Sequence, residues 1–229
     1  MKQALENIES RMAQSAIKSG RKPEDVTLIA VSKTYPVEAI EQAYALGCKD
    51  FGENKVQELM SKIKNIQNPI EWHLIGHLQR NKVKYVVGHV SLIHSVDSLR
   101  LAKEIQKESL KKDVLTSILL EVNVAKEESK HGIYMDEVLE LVHEISKMSH
   151  VRLKGFMTVA PYTQNPEENR SIFRLLYNLS VDIQKQNIDN ISTSILSMGM
   201  SNDYEIAIEE GATHVRIGTA LFGTRDYNR

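Results

Sequence analysis

The chain alternates throughout between short apolar segments and longer segments whose apolar residues recur every three to four positions. The short runs, bounded by turn residues, predict buried strands, and the longer period predicts amphipathic helices. Strands are predicted at residues 27–33, 49–54, 71–76, 91–97, 115–123, 152–159, 192–199 and the start of 213–223. A helix is predicted after each strand, and the first seven cover 37–47, 56–66, 81–89, 98–112, 135–148, 168–186 and 203–211.

Eight strand–helix repeats after an N-terminal helix are the number that a (β/α)8 TIM barrel requires. Several strands are apolar on both alternating sets of residues, which is typical of parallel strands covered on both faces. An open doubly wound sheet is the alternative, and it favours a glycine-rich turn after the first strand. The sequence VSKTYP at 31–36 is not such a turn. We therefore predict one α/β barrel domain over residues 1–229.

Composition limits the kind of partner and compartment. The net charge of −1 provides no basic surface for nucleic acid or an anionic membrane. Cys48 is the single cysteine, so a disulfide framework is excluded. The amphipathic segment 1–14 lacks the apolar centre of a signal peptide, and no run approaches the ~18 apolar residues of a membrane span. These features predict a cytoplasmic protein.

Barrel enzymes and binding proteins carry their chemistry where the strands end and the βα loops begin. In this chain those ends are rich in polar and glycine residues. They are Lys33, Glu53, Asn54, Glu121, Asn123 and the segments 73–82, 197–203 and 216–219. Lys33 follows the apolar run LIAV, and one interpretation is a solvated loop lysine. The alternative is a desolvated amine, whose lowered pKa lets it attack an aldehyde and form a Schiff base.

The predicted loops after the seventh and eighth strands contain SMGMSND and RIGT. Barrels often hold a phosphate between these two loops with backbone N–H groups. Ser201 and Thr219 offer hydroxyls, and Gly218 allows a close backbone approach, although a turn glycine and capping residues would look the same. Because the first and eighth strands are neighbours in a closed barrel, a phosphorylated aldehyde such as pyridoxal 5′-phosphate would fit both features.

Arg216 interrupts an apolar strand two residues before Gly218. A guanidinium at such a position needs a partner. One interpretation is a buried ion pair with Glu53 or Glu121. The other is a partner for the pyridine nitrogen of pyridoxal phosphate, which a permanent cation would keep unprotonated.

With these residues identified, the chain resembles the YggS/PROSC family of pyridoxal phosphate homeostasis proteins. The matching motifs are AVSKTYP, FGENKVQE, WHLIGHLQRNK, HSVDS, EVNVAKEESKHG, LSMGMSNDYEIAIEEGATHVRIGTALFG and RDY, in order from about residue 5 to 227. The resemblance implies a barrel similar to the N-terminal domain of alanine racemase. It also implies a Schiff base at Lys33, Arg216 facing the pyridine nitrogen, Asn54 beside the ring, and a phosphate held by Met200, Ser201, Gly218 and Thr219.

Two departures accompany the resemblance. Many members of the family have proline where this chain has His77 and serine where it has Arg80. Alanine racemases also have a second β domain that supplies a catalytic tyrosine, and this chain ends after the eighth repeat. We therefore expect one face of the cofactor to be open to water and the protein to be a monomer.

The expected function is reversible storage or delivery of pyridoxal phosphate without efficient catalysis, with apo-enzymes and other B6 vitamers as further partners. A racemase-like enzyme is the alternative, but racemisation needs an acid or base on each face, and Lys33 supplies one. A class I aldolase also uses a lysine in a barrel, yet it has no need of RIGT opposite that lysine.

The remaining candidates favour structural roles. His73 and His77 are four apart but are separated by Gly76, with His73 on a strand, so we predict no metal site. His131 is interpreted as a polar rim residue and Cys48 as a small buried hydrophobe. The lysines that could form a basic rim for phosphorylated vitamers are Lys82, Lys126 and Lys130.

Overall fold

The computed structural model describes residues 1–127 and 131–223. Within them, eight parallel strands form a closed barrel in chain order, as the sequence predicts. The strands are β1 Thr27–Val31, β2 Asp50–Glu53, β3 Glu71–Leu74, β4 Leu92–Val96, β5 Thr116–Glu121, β6 Val151–Met157, β7 Ile191–Met200 and β8 His214–Ile217. β1 pairs with both β2 and β8, which excludes the open sheet.

Helices surround the barrel and follow its strands. They are α1 Lys2–Lys18, α2 Val37–Ala45, α3 Val56–Asn65, α4 Val83–Val86, α5 Leu99–Lys112, α6 Val138–Ser146, α7 Arg170–Lys185, α8 Tyr204–Glu209 and α9 Thr219–Phe222. The N-terminal helix α1 precedes the first strand and packs against α8. No helix among the described residues has the length and apolar character that crossing a bilayer requires.

The core has two layers because the strands are buried on both faces. Ile29 and Ala30 of β1 are fully buried although they point to opposite sides of the sheet. Outside the barrel, α1 buries Leu5, Ile8 and Met12 along one face. Each such side chain stabilises the fold by about 1.5–3 kcal/mol on burial, so α1 is an integral part of the domain.

Several predicted elements are shorter than the sequence pattern indicates, among them the fourth helix and the first strand. The helix predicted at 81–89 is a 3-10 turn at Arg80–Lys82 followed by the single turn of α4. It ends where Val87 takes an extended conformation and is buried. The strand predicted at 27–33 ends at Val31, since the backbone of Thr34 has a left-handed φ of 70° and turns the chain away.

Candidate functional site

The structure places all seven predicted site residues at the carboxyl end of the barrel. Lys33 follows β1, Asn54 follows β2, Ser201 follows β7, and Thr219 begins α9 directly after β8. Ala30 of β1 is paired with Ile217 of β8, so the two loops leave the barrel side by side. The loop that carries Lys33 and the loop that carries Gly218 and Thr219 are therefore neighbours, as the closed barrel requires.

Gly218 allows the loop after β8 to lie directly against the end of β1. A Cβ atom at position 218 would lie 3.3 Å from the carbonyl oxygen of Val31. That separation is tight, and the atom it approaches belongs to the backbone two residues before Lys33. A larger residue would push the two loops apart and widen the site.

A second close approach fixes Asn54. A Cβ at Gly76, just beyond β3, would lie 2.5 Å from the Asn54 carbonyl oxygen. Only glycine fits there, so the loops after β2 and β3 are held together and Asn54 is half-buried at the mouth.

The backbone on both sides of Lys33 is fixed by a buried charge network that the sequence analysis missed. Lys62 of α3 donates hydrogen bonds to the Ser32 carbonyl oxygen at 2.8 Å and to Glu53 and Glu58 at 2.7 Å. Ser32 Oγ donates to Glu53 at 2.6 Å, and the Thr34 N–H donates to Glu58 at 2.5 Å. We call Glu53, Glu58 and Lys62 the lysine clamp.

The clamp also distinguishes the two lysines near this strand end. The three ammonium protons of Lys62 match the three acceptors described above, and its side chain is 7% exposed. It is therefore a paired cation and not a nucleophile. Burial raises the pKa of Glu53, and the hydrogen bonds from Lys62 and Ser32 oppose that rise. Lys33 is half-buried at the rim, where a ligand can reach it.

Arg216 lies inside the barrel and is 5% exposed. Its Nη1 donates to the carbonyl oxygen and to Oγ of Ser197, both at 2.7 Å, and its Nη2 donates to the Thr158 carbonyl oxygen at 2.9 Å. Burial lowers the pKa of Arg216 to about 10, so it remains a cation near neutral pH. These bonds use three of its five N–H groups and leave two for an acceptor on a ligand.

The ion pair considered between Arg216 and Glu53 does not form, because Glu53 binds Lys62. Glu121 at the end of β5 acts on Arg216 through its charge. Burial, together with the charge of nearby Asp97, raises the pKa of Glu121 to about 7. The Arg216 cation opposes that rise. Arg216 is thus held by neutral acceptors, with its carboxylate neighbours at longer range.

The loop after β7 is shaped by Asp203, which is buried. Its Oδ1 accepts from the Met200 N–H at 2.7 Å, and its Oδ2 accepts from the Asn169 side chain at 2.8 Å. Met200 is 37% exposed and Ser201 is half-buried. Asp203 therefore fixes the backbone while the Ser201 hydroxyl stays accessible at the mouth.

Tyr35 connects the loop that carries Lys33 to α9. Its hydroxyl donates to the Gly223 carbonyl oxygen at 2.7 Å, and its ring stacks on Phe222 with centroids 4.7 Å apart. Thr219, at the first position of α9, is exposed. A partly exposed amine, a buried guanidinium and two accessible hydroxyls therefore surround one opening, a donor set suited to an aldehyde that bears a phosphate.

The sequence matches the alanine racemase N-terminal domain family over residues 4–226. It is also 44% identical to a pyridoxal phosphate homeostasis protein of Aquifex aeolicus over 97% of each chain. The chain belongs to the pyridoxal phosphate homeostasis protein family.

A solved structure similar to this chain is that of PipY of Synechococcus elongatus, which is 35% identical to this chain. Its structure without pyridoxal phosphate superposes with a TM-score of 0.84, covering 94% of this chain and 100% of PipY. The PipY structure with pyridoxal phosphate bound gives a TM-score of 0.82 over the same shares of both chains. An alanine racemase of Clostridium difficile, at 14% identity, covers 89% of this chain and 54% of its own, with a TM-score of 0.73. That likeness confirms the barrel fold.

The two histidines considered as metal ligands, His73 and His77, lie in different parts of the barrel. His73 points into the barrel and lies 3.0 Å from Asp50, whereas His77 is at the rim near Asp97 and His131. The rings of His77 and His131 stack 4.1 Å apart at 14°. Nitrogen lone pairs lie in the ring planes, so nearly parallel rings do not direct them at one ion.

The remaining sequence-based predictions have mixed outcomes. Cys48 is buried, as predicted, and burial raises the pKa of its thiol to about 11. Lys126 is exposed and Lys82 is half-buried near the Tyr85 ring. Lys130 and the closing RDY motif lie outside the described residues. The basic rim therefore stays a prediction.

Proposed function

We propose that this protein binds pyridoxal 5′-phosphate as a Schiff base on Lys33 and serves its storage and delivery in the cell. The observation that carries the proposal is the pairing of β1 with β8, which brings the loop of Lys33 next to Gly218 and to the end of the strand that buries Arg216. The names of the relatives and the bound state of PipY support the same ligand. The whole chain, residues 1–229, would form the binding domain.

Each site residue has a distinct task in this proposal. The Lys33 amine supplies the covalent bond to the aldehyde carbon. One of the two remaining N–H groups of Arg216 donates to the lone pair of the pyridine nitrogen, and Asn54 lies beside the ring. Hydroxyls of Ser201 and Thr219, with the backbone at Met200 and Gly218, hold the phosphate. When bound, the cofactor supplies an electron-withdrawing ring, and the Arg216 cation keeps that ring a weak electron sink by opposing its protonation.

The experiment that tests this function is absorption spectroscopy and mass spectrometry of the purified protein before and after borohydride reduction. A visible band that borohydride removes, with a mass increase equal to one pyridoxyl phosphate group, is the expected result. A protein that takes up no pyridoxal phosphate even when it is added in excess would contradict the proposal. A class I aldolase would form its Schiff base only with a substrate and would show no band.

We also propose that the protein has no efficient turnover of its own. Racemisation requires a proton donor and a proton acceptor on opposite faces of the bound amino acid, and Lys33 provides one of them. We expect exchange of the alanine α-proton in deuterated water to be far slower than about 1 s⁻¹, a rate ordinary for enzymes. NMR of alanine incubated with loaded protein measures it, and exchange at or above that rate would favour the racemase-like alternative.

The phosphate site predicts a specific loss in two variants. Ser201→Ala and Thr219→Ala should each weaken pyridoxal phosphate binding about ten- to a hundredfold, because a hydrogen bond to a charged group contributes roughly 1.5–3 kcal/mol. Equilibrium titration measures the affinity. Pyridoxal, which lacks the phosphate, should bind the parent more weakly and should bind both variants as it binds the parent.

Ser194→Ala is the matched control, because Ser194 is an exposed serine on the same strand, away from the loop. It should leave the affinity unchanged. Parental affinity in both Ser201→Ala and Thr219→Ala would place the phosphate elsewhere.

A further inference from the structure

A continuous chain of hydrogen bonds runs from Arg216 across the inside of the barrel. Arg216 Nη1 lies 2.7 Å from Ser197 Oγ, which lies 2.9 Å from His94 Nδ1. His94 Nε2 lies 2.9 Å from His73 Nδ1, and His73 Nε2 lies 3.0 Å from Asp50 Oδ1. We call Arg216, Ser197, His94, His73 and Asp50 the histidine relay.

The relay crosses five strands and passes through the most buried part of the molecule. Ser197 and His94 have no exposed surface, and His73 is 3% exposed. The Asp50 side chain is 26% exposed and lies where β2 begins, at the end of the barrel opposite the Lys33 loop. Four polar groups in an apolar interior are costly unless each has a partner, and here each has one on both sides.

With a neutral His73, the two ends of the relay determine where every proton lies. A guanidinium can only donate, and a carboxylate can only accept. His73 therefore carries its proton on Nε2, facing Asp50, and accepts at Nδ1. His94 in turn donates from Nε2 and accepts at Nδ1 from the Ser197 hydroxyl. Every donor then points from Arg216 toward Asp50.

The surrounding charges agree with this assignment, which requires His94 to be neutral. Burial is the main cause that lowers the pKa of His94 well below its ordinary range, and the nearby Arg216 cation lowers it further. The His214 ring lies 6.5 Å from the His94 ring, and burial lowers the pKa of His214 to about 4. Glu121 and Asp203 act on Arg216 from the other side. A protonated His73 would reverse the His94 tautomer, so the tautomer reports the direction of the relay.

We propose that the histidine relay positions Arg216 for the cofactor ring. This inference rests on the proposed function, in which Arg216 faces the pyridine nitrogen. Because the Ser197 hydroxyl gives its proton to His94, its oxygen lone pairs are available to Arg216 Nη1. That bond, with the Ser197 and Thr158 carbonyl oxygens, fixes the plane of the guanidinium and the direction of its two remaining N–H groups. Ser197, His94 and His73 are positioning residues that act on the ligand through Arg216.

The first test needs no cofactor. Long-range ¹H–¹⁵N NMR of the histidine rings in the full chain between pH 6 and 8 reports which nitrogen carries the proton. Neutral His94 and His73 with the proton on Nε2 are expected. A proton on Nδ1 of His94 would overturn the relay direction, whether or not the protein binds pyridoxal phosphate.

The second test measures the ring nitrogen of bound ¹⁵N-labelled pyridoxal phosphate. Ser197→Ala should change its chemical shift and weaken binding by roughly two- to tenfold, the effect of one hydrogen bond, with the adduct on Lys33 retained. Ser197→Thr keeps the hydroxyl and should restore both values. His94→Gln provides the same comparison if Ser197→Ala does not fold.

Ser109→Ala is the matched control, because Ser109 is equally buried and hydrogen-bonded, to Thr116 at 2.7 Å, outside the site. It should leave the ring-nitrogen shift at the parental value. A Ser197→Ala shift equal to that of Ser109→Ala would overturn the positioning role alone. A parent protein that binds no pyridoxal phosphate would instead overturn the proposed function, and the positioning role with it.

Discussion

Lys33→Ala will abolish the covalent attachment of pyridoxal phosphate and leave the fold intact. The Schiff base requires the primary amine of Lys33. Lys62 cannot replace it, because its ammonium group donates to the Ser32 carbonyl oxygen, Glu53 and Glu58. The fold should persist because Lys33 is half-buried in a loop that hydrogen bonds of Ser32 and Thr34 anchor on both sides of it. Borohydride reduction followed by peptide mapping measures the adduct, and thermal unfolding measures the fold.

Lys55→Ala is the control for this experiment. Lys55 is an exposed lysine in the loop after β2, close to the same opening, and its removal should leave the adduct on Lys33 at parental yield. The unfolding free energy of both variants should stay within about 0.5 kcal/mol of the parent, as is usual for surface substitutions. A pyridoxyl group that maps to another lysine in the parent would disprove the assignment of Lys33.

The sequence predicts the architecture because eight consecutive strand–helix repeats are the number that closes into a barrel of parallel strands. Ser98 caps α5 through its side chain, and Gly47 follows α2 with a positive φ, so both helix ends have a residue type that favours that position. The single turn of α4 was not predictable from local periodicity. It depends on the burial of Val83, Val86 and Val87 against neighbouring helices, which is a tertiary effect.

The sequence predicts which residues lie at the strand ends, but it does not predict which side chains face one another. Knowing that strands end together is enough to bring Lys33, Ser201 and Thr219 to one opening. Lys62 resembles a solvated i, i+4 partner of Glu58, and only the position of α3 shows that it reaches the Ser32 carbonyl oxygen. Sequence alone gives no such distance.

The histidine relay did leave a signal in the sequence. His73, His94, Ser197 and Arg216 are polar residues that are buried within four of the strands. Each by itself is compatible with a satisfied core group, so none stands out. Their contacts depend on barrel closure, since β4 and β7 are not neighbours in the barrel and their side chains meet only through its interior.

Lys62→Met will destabilise the fold more than any of the substitutions described above. It removes the cation from Glu53, which has no exposed surface, and leaves Glu53 Oε1 with the Ser32 hydroxyl as its remaining donor among the described residues. The second oxygen, Oε2, is already buried without a hydrogen bond in the described structure. Breaking a buried ion pair by removing one member costs about 3–5 kcal/mol, so the midpoint of thermal unfolding should fall by roughly 6–20 °C.

The lysine clamp also predicts how this loss depends on pH and how it is relieved. Without Lys62 the burial that raises the pKa of Glu53 is less opposed, so the folded protein holds a proton that the unfolded chain releases. Its unfolding free energy therefore rises as pH falls, and the deficit should be smaller at pH 5 than at pH 8. Adding Glu53→Gln should recover part of the loss, because it removes the unpaired charge. Lys64→Met changes an exposed position of the same helix, and its unfolding free energy should stay within about 0.5 kcal/mol of the parent. Equal unfolding free energies of the Lys62 and Lys64 variants in denaturant titrations would show that the clamp does not hold the Lys33 loop.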